Sequence, residues 1–199
     1  MQKVWKGDQK MNRLKEKYMS EVQTKLQQEL GLKNRLAVPR LEKIVISIGL
    51  GEAKDNKDVI EKVKIYLTAL AGQSPVVTRA KKSIASFKVS IGQTIGMMVV
   101  LRGDRMYAFL DKLINIVLPK VRDFKGISDI SFDNNGNLNI GLKEQTIFPE
   151  VDYKTIDKTR GLAVTITTTA KTRGGFTAKE EGKKLLEYLG IPFKGDKNG

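Results

Sequence analysis

Cysteine and histidine are both absent from this chain. Without cysteine there is no disulfide framework, no thiolate nucleophile and no thiolate metal site, a composition that fits a reducing compartment. Without histidine the commonest general acid-base group and transition-metal ligand near neutral pH is missing, which excludes Ser-His and Cys-His catalysis. No apolar run approaches the length of a membrane span, and the opening MQKVWKGDQK lacks the apolar core of a secretion signal, so the protein is expected to remain cytoplasmic. A local absence matters as much: residues 62–103, 42 in all, contain no Asp or Glu.

That acid-free run carries seven cations, Lys62, Lys64, Arg79, Lys81, Lys82, Lys88 and Arg102. No neighbouring carboxylate in sequence cancels their field, and such a field suits a polyanion. The whole chain repeats the bias, with 36 Lys and Arg against 22 Asp and Glu for a net charge of +14. This is the electrostatic footprint of a nucleic-acid binder. At 199 residues, with no Pro/Ser-rich break, the chain is expected to form one RNA-binding α+β domain over 13–193, between a basic extension at 1–12 and a basic tail at 194–199.

Periodicity divides that domain into elements. Leu14, Tyr18, Val22, Leu26 and Leu30 recur every four residues and predict an amphipathic helix from about Asn12 to Leu30, stopped by Gly31. From Arg40 to Gly51 the period falls to two: Ile44, Ile46, Ile48 and Leu50 alternate with Val45, Ser47 and Gly49, as in a half-buried strand. Gly49 and Gly51 then suggest a tight strand-to-helix turn, since a dinucleotide fingerprint would need a third Gly where Lys54 stands. Asp55 and Asp58 are N-cap candidates for a helix with the stripe Val59, Val63, Leu67 and Leu70, ended by Gly72. Val76 to Thr78 predicts a short strand, Arg79 to Gly92 a long, mobile cationic loop or hairpin, and Ile95 to Arg102 another strand.

Gly103 and Asp104 open a predicted helix bearing Met106, Phe109, Leu110, Leu113, Ile116 and Val117, with Pro119 as its stop. The turn 133–137 predicts a hairpin between Ile130 to Phe132 and Leu138 to Leu142. Thr146 to Gly161, with Pro149 and six charges, reads as an exposed excursion. Leu162 to Ala170 is a predicted strand with a hydroxyl-bearing face, and Thr177 with Glu180 forms a capping box for a helix burying Leu185, Leu186 and Leu189.

These strands share a design. Apolar positions alternate with small or polar ones, the second set including Ser47, Gly49, Asn139, Gly141, Lys143, Thr165 and Thr167. The expected fold is therefore α+β, a mostly antiparallel sheet with helices packed on one face and the other face open for RNA, without a bulky apolar patch. Central strands without aromatics exclude base stacking of the RRM kind, leaving RNA backbone, ribose hydroxyls and shape as targets. Two other classes compete. Glu144, Glu150 and Asp152 could serve a Mg2+-dependent RNA enzyme, but no second acidic group converges on them, so no metal, cofactor or catalytic residue is expected. Adhesion to anionic membranes would want the cations on one amphipathic helix, and they fall in a loop and on strands.

Several blocks carry a resemblance: VPRLEKIVISIGLGEA (38–53), GQSPVVTRAKKSIASFK (72–88), IGMMVVLRGDRMYAFLDKL (95–113), VRDFKGIS (121–128), EQTIFPEVDY (144–153) and TTTAKT (167–172). Together they resemble the family of the fifth protein of the large ribosomal subunit, bacterial type, over about Arg13 to Phe193. Met11-Asn12-Arg13-Leu14 is similar to the usual family start, which makes 1–10 an expected upstream extension. The resemblance implies a non-enzymatic protein of the central protuberance that binds 5S rRNA, touches the large-subunit rRNA, contacts P-site tRNA and bridges to a small-subunit head protein.

Carried over by motif, the expected rRNA-binding positions are Lys43, Ser47, Gln73, Thr78, Arg79, Val100 and Arg102. Ser47 stands where the family pattern has Asn and Val100 where it has Thr, two shortened or lost hydrogen-bonding groups worth ~1 kcal/mol each if the partner group stays buried. The tRNA-contact loop implied by the resemblance is Lys81, Lys82, Ser83, Lys88 and Ser90, with Ser90 in place of a common Arg and Gln93-Thr94 in place of an apolar-Pro pair. The implied subunit-bridge candidates are Phe148, Pro149, Glu150, Asp152 and Tyr153.

Overall fold

The computed structural model describes residues 12–51, 56–122, 124–151, 156–173 and 175–194. The expected extension before Asn12, the tail after Lys194, the N-cap candidate Asp55 and the bridge candidates Asp152 and Tyr153 lie outside the described residues. Five strands form one antiparallel sheet: β1 (Leu41–Gly49), β2 (Val76–Arg79), β3 (Thr94–Leu101), β4 (Leu138–Leu142) and β5 (Leu162–Thr168), in the order β2-β3-β1-β5-β4. Four helical segments pack on one face: α1 (13–29), α2 (Lys57–Ala71), α3 (103–120) and α4 (Ala178–Leu189).

The central strand sets this division. Ile44, Ile46 and Ile48 are at most 3% exposed, while Val45, Ser47 and Gly49 face the other way. β-branched residues at every second position favour the pleated conformation and hold the strand's facing, because a slip of one residue would exchange the two sets. Val99 and Leu101 of β3 and Leu162, Val164 and Ile166 of β5 extend the buried side, and the helices cover it.

In α1 the buried stripe is Leu14, Tyr18, Val22, Leu26 and Leu30. A strict four-residue repeat drifts by about 40° per step on an ordinary α-helix. The π-wound stretch Tyr18–Val22 absorbs a residue and keeps the stripe on one side. Asn12 caps the helix through its Oδ1, which accepts from Leu14 N–H at 2.9 Å. The Tyr18 hydroxyl donates to the Pro39 carbonyl at 3.0 Å, and burial pushes its pKa up to about 12.

Several boundaries differ from the sequence reading for identifiable reasons. Helix α2 is capped by Asn56, whose Oδ1 accepts from the Asp58 and Val59 N–H groups, so Asp58 lies inside the first turn. Neither Gly49 nor Gly51 has positive φ, and the helix begins only at Lys57, so the two glycines do not make a tight strand-to-helix turn. Helix α3 does not stop before Pro119. Its stretch Leu113–Val117 is π-wound, closed by Leu118 N–H to the Leu113 carbonyl, and the chain runs through Pro119 to Lys120. Only a single bridge, Phe132 to Leu138, remains of the predicted hairpin. Residues Asp129–Ser131 form a 3-10 turn that leaves Ile130 90% exposed.

The capping box at Thr177 and Glu180 is present in full. Behind it α4 is tied down twice. Buried Glu181 accepts from Arg173 Nε at 3.0 Å and from Lys171 N–H at 3.1 Å, and Arg173 also donates to the Ala37 carbonyl. Lys184 and Tyr188 both donate to the Glu29 carboxylate at the end of α1, which holds that carboxyl below its ordinary pKa, the Lys184 hydrogen bond being the largest cause.

Helix α4 also meets the 133–137 turn backbone to backbone. A Cβ on Gly182 would lie 2.4 Å from the Gly136 carbonyl oxygen. Gly to Ala in a free helix gains about 1 kcal/mol, yet here Gly182→Ala is expected to cost about 1–3 kcal/mol through overpacking. A urea denaturation midpoint that stays constant or rises in this variant would contradict the close approach.

Candidate nucleic-acid interface

On the face without helices, strand register aligns the side chains in rows. Lys43 stands opposite Thr167, and Arg102 follows directly on Leu101, the partner of Ile44, so these three cap one end. The next row is Val100, Val45, Thr165 and Asn139; the third is Val76, Met98, Ser47, Ala163 and Gly141; the fourth is Thr78, Gly96 and Gly49. Glycine is required at position 96, where a Cβ would fall 2.5 Å from the Ile48 carbonyl oxygen.

The face has two chemical halves. Towards β4 it is polar, and the Thr165 hydroxyl lies 2.7 Å from Asn139 Oδ1 as donor. Towards β2 it is apolar, with Val76 63% exposed beside half-buried Met98, Val100 and Val45. This corrects the expectation of a face without an apolar patch. The sequence carries the facing, since positions 96, 98 and 100 alternate with buried 97, 99 and 101, but only the observed register sets Met98 opposite Ser47.

The expected rRNA-binding residues are spread over this surface. Lys43, Val100, Arg102 and Gln73 gather at one end, Ser47 sits at the centre, and Thr78 with Arg79 marks the opposite end. Gln73 is engaged on both sides: its Nε2 donates to the Val100 carbonyl at 3.3 Å and its Oε1 accepts from Arg105 Nη1 at 3.3 Å. Arg105 thereby joins the cationic end, a residue the sequence reading passed over because it lies inside a helix. Arg102 lies 3.8 Å from Glu42 with both side chains exposed, a pair of the kind that contributes little. Lys62 and Lys64 point outward from α2, so the cations of the acid-free run divide between two sides of the molecule.

Residues 79–93 form an ordered hairpin. Ala80 N–H donates to the Gln93 carbonyl at 2.9 Å and Gly92 N–H to the Ala80 carbonyl at 2.9 Å. Nearer the tip, Ile84 and Val89 exchange a pair of backbone bonds. Ser83 Oγ accepts from Ile91 N–H at 2.9 Å, and Gln93 Oε1 accepts from Ser90 N–H at 3.1 Å. Lys88 takes a positive φ of 49° to close the tip. Lys81, Lys82, Ser83, Lys88 and Ser90 are all exposed, as are Ile84, Phe87 and Ile91.

The segment after Lys143 is not simply an exposed excursion. Gln145 is fully buried: its Nε2 donates to the Lys158 carbonyl at 2.8 Å, and its Oε1 accepts from Arg160 N–H. Phe148, only 1% exposed, stacks on Phe109 at 6.1 Å between centroids, so this bridge candidate is a core residue and cannot meet a partner. Pro149 and Glu150 remain exposed. Glu150 accepts from Lys112 Nζ at 2.6 Å, and Lys112 also donates to the Leu70 carbonyl at 2.8 Å. Among the described residues no group of three or more acidic, histidine or cysteine side chains could hold a metal ion, and no helix is long and apolar enough to cross a membrane.

Fold and surface together define an α+β protein that shields one sheet face with helices and presents the other, rimmed by cations, to its surroundings. Residues 34–89 match the family model for ribosomal protein L5, and residues 94–193 match that for the C-terminus of the same ribosomal family. The chain is 55% identical to the large ribosomal subunit protein uL5 of Desulforamulus reducens, over 92% of this chain and 98% of the relative. It is 56% identical to that of a Thermoanaerobacter species, over 92% and 99%. With the uL5 of Natranaerobius thermophilus it shares 52% identity over 93% and 100%. The chain belongs to the uL5 family, a family of structural ribosomal proteins and not of enzymes.

The first family model ends inside the hairpin, at residue 89, and the second begins just after it, at 94, while the β1–β3 pairing joins their strands into one sheet. At the far side the segment 156–160 is closed by Asp157, whose carboxylate accepts two hydrogen bonds from Arg160 at 2.7 Å. Those bonds hold its pKa down at about 2, below the ordinary 3.8. A carboxyl depressed by folding stabilises fully above its unfolded value and loses that contribution as pH falls through the folded one. Asp157→Asn is therefore expected to flatten the dependence of melting temperature on pH between about 4 and 2. An unchanged acid limb would mean that this pair does not couple the segment to folding.

Proposed function

We propose that this protein is a structural component of the large ribosomal subunit, in the cytoplasm, that attaches 5S rRNA through the open sheet face as one RNA-binding unit over 13–193. Family membership supports the ribosomal assignment, and the rows of short side chains between cationic ends carry the choice of face. On the half towards β4, side chains no longer than Ser, Thr and Asn let an RNA backbone come close enough to meet hydroxyl and amide groups. Lys43, Arg79 and Arg102 neutralise phosphate; Ser47, Thr78, Thr165 and Asn139 set the register. Gln73 acts through the strand end and Arg105 that it holds. Val100, with Met98 and Val76, offers apolar contact to ribose and base faces.

The hairpin serves a second RNA. Lys81, Lys82 and Lys88 extend beyond the sheet on a braced β-ribbon, in which the Ser83 hydroxyl accepts from Ile91 N–H and the Ser90 backbone N–H donates to Gln93. P-site tRNA is the partner the family resemblance implies. Large-subunit rRNA is met by cations away from the sheet face, the hairpin and the side of the molecule near Pro149 and Glu150. A protein of the small-subunit head is met near Pro149 and Glu150, with Asp152 and Tyr153 beside them in sequence.

Each phosphate contact displaces counterions, contributing about 0.9 to the slope of log affinity against log salt on duplex nucleic acid. Arg79→Ala with Arg102→Ala is expected to lower the slope for 5S rRNA by about 1–2. A slope equal to the parent's would remove these two from the phosphate contacts.

Replacing Lys81, Lys82 and Lys88 with Ala is expected to leave 5S rRNA affinity within about twofold, by analogy with surface changes away from an interface, and to weaken P-site tRNA occupancy on assembled ribosomes. Loss of 5S rRNA binding with normal tRNA occupancy would assign the hairpin to the rRNA surface instead.

A further inference from the structure

Beside the outer edge of the sheet lies a cleft of about 950 Å³, between the end of α3, the end of β4 and the segment 144–151. Three cations line it, Lys120, Arg122 and Lys143, and none makes an ion pair among the described residues. The partial negative charge at the C-terminus of α3 favours the first two where they stand but leaves their ammonium and guanidinium groups exposed. Two carboxylates share the cleft. Glu150 is held by Lys112 at 2.6 Å, and Glu144 lies 3.2 Å from the Thr146 hydroxyl.

We propose that this cleft is a docking groove for an extended, carboxylate-bearing segment of a partner protein. The inference rests on the reading above that this side of the molecule faces another ribosomal protein. Three features support the occupant. First, the spacing of charge disfavours RNA, since a continuous phosphate backbone laid in the cleft would meet Glu144 and Glu150 as well as the cations, whereas a peptide can place isolated carboxylates on Lys120, Arg122 and Lys143. Second, Leu142 and Ile147 supply apolar surface on which a peptide side chain can rest. Third, β4 is an edge strand paired only with β5, and no other backbone hydrogen bond among the described residues reaches 139–142. Such an edge offers main-chain donors and acceptors to an added strand, while alternate side chains of that strand give specificity.

The absence of cysteine makes the test selective, because one introduced thiol is the only one in the chain. Thr146→Cys, labelled with a benzophenone maleimide and assembled into ribosomes, is illuminated and its crosslinked peptide sequenced. Should labelling at that position block assembly, Pro149→Cys on the same cleft is read in the same way. The expected product is a protein segment with at least two carboxylates within six residues. Its yield should fall at least tenfold when Lys120→Glu, Arg122→Glu and Lys143→Glu are combined and the protein still sediments with large subunits. Crosslinks to RNA, to a segment without carboxylates or to nothing, or a yield indifferent to the charge reversal, would overturn the groove. A carboxylate-bearing segment from a large-subunit protein would keep the groove and refute the contact with the small-subunit head.

Discussion

Everything in this molecule depends on how β1 is paired. Held between β3 and β5, it sends Ile44, Ile46 and Ile48 into a core completed by four helices, and sends Lys43, Val45, Ser47 and Gly49 to the opposite side. Burying each isoleucine is worth roughly 1.5–3 kcal/mol, and a one-residue slip would forfeit all three at once. The facing of the sheet is therefore fixed by the core, and the outward set can vary in chemistry without endangering the fold. That freedom is visible in the two halves of the open face, hydroxyl and amide groups towards β4 and Val and Met towards β2.

The same economy governs the attachments around the sheet. The hairpin 79–93 buries almost none of its side chains and is shaped by backbone pairing, two side-chain braces and the left-handed Lys88. The segment 144–151 does the reverse: buried Gln145 and Phe148 pin it to the core, so Pro149 and Glu150 are displayed from a fixed base. The cationic arm is thus braced by its backbone and the shelf by packed side chains.

Much of this was legible in the sequence wherever a single periodicity ran long enough. The stripe of α1, the alternation of β1 and β5 and the capping box at Thr177 and Glu180 each follow from spacing alone. What escaped depended on contacts between distant segments or on winding. Pro119 reads as a stop unless a π turn precedes it, and composition does not encode that turn. Ile130 to Phe132 has strand-like composition, yet the edge of β4 is left open and residues 129–131 curl into a 3-10 turn. The charges of 150–160 advertise exposure and conceal that Gln145 and Phe148, just before them, are core. At the candidate interface, the family resemblance supplied Lys43, Ser47, Gln73 and Val100, while the apolar half emerged only once β3 was set in register with β1 and β2.

The open face can be read out directly through its methionines. Met98 lies half-buried in the middle of that face, and Met19 is 45% exposed on α1, on the helical side. Oxidation by dilute peroxide, followed residue by residue with mass spectrometry, compares the two in the free protein and in its complex with 5S rRNA. The account predicts that RNA slows oxidation of Met98 severalfold and leaves Met19 unchanged. Equal rates at Met98 with and without bound RNA, or protection at Met19 instead, would contradict the assignment of the sheet as the RNA-binding surface.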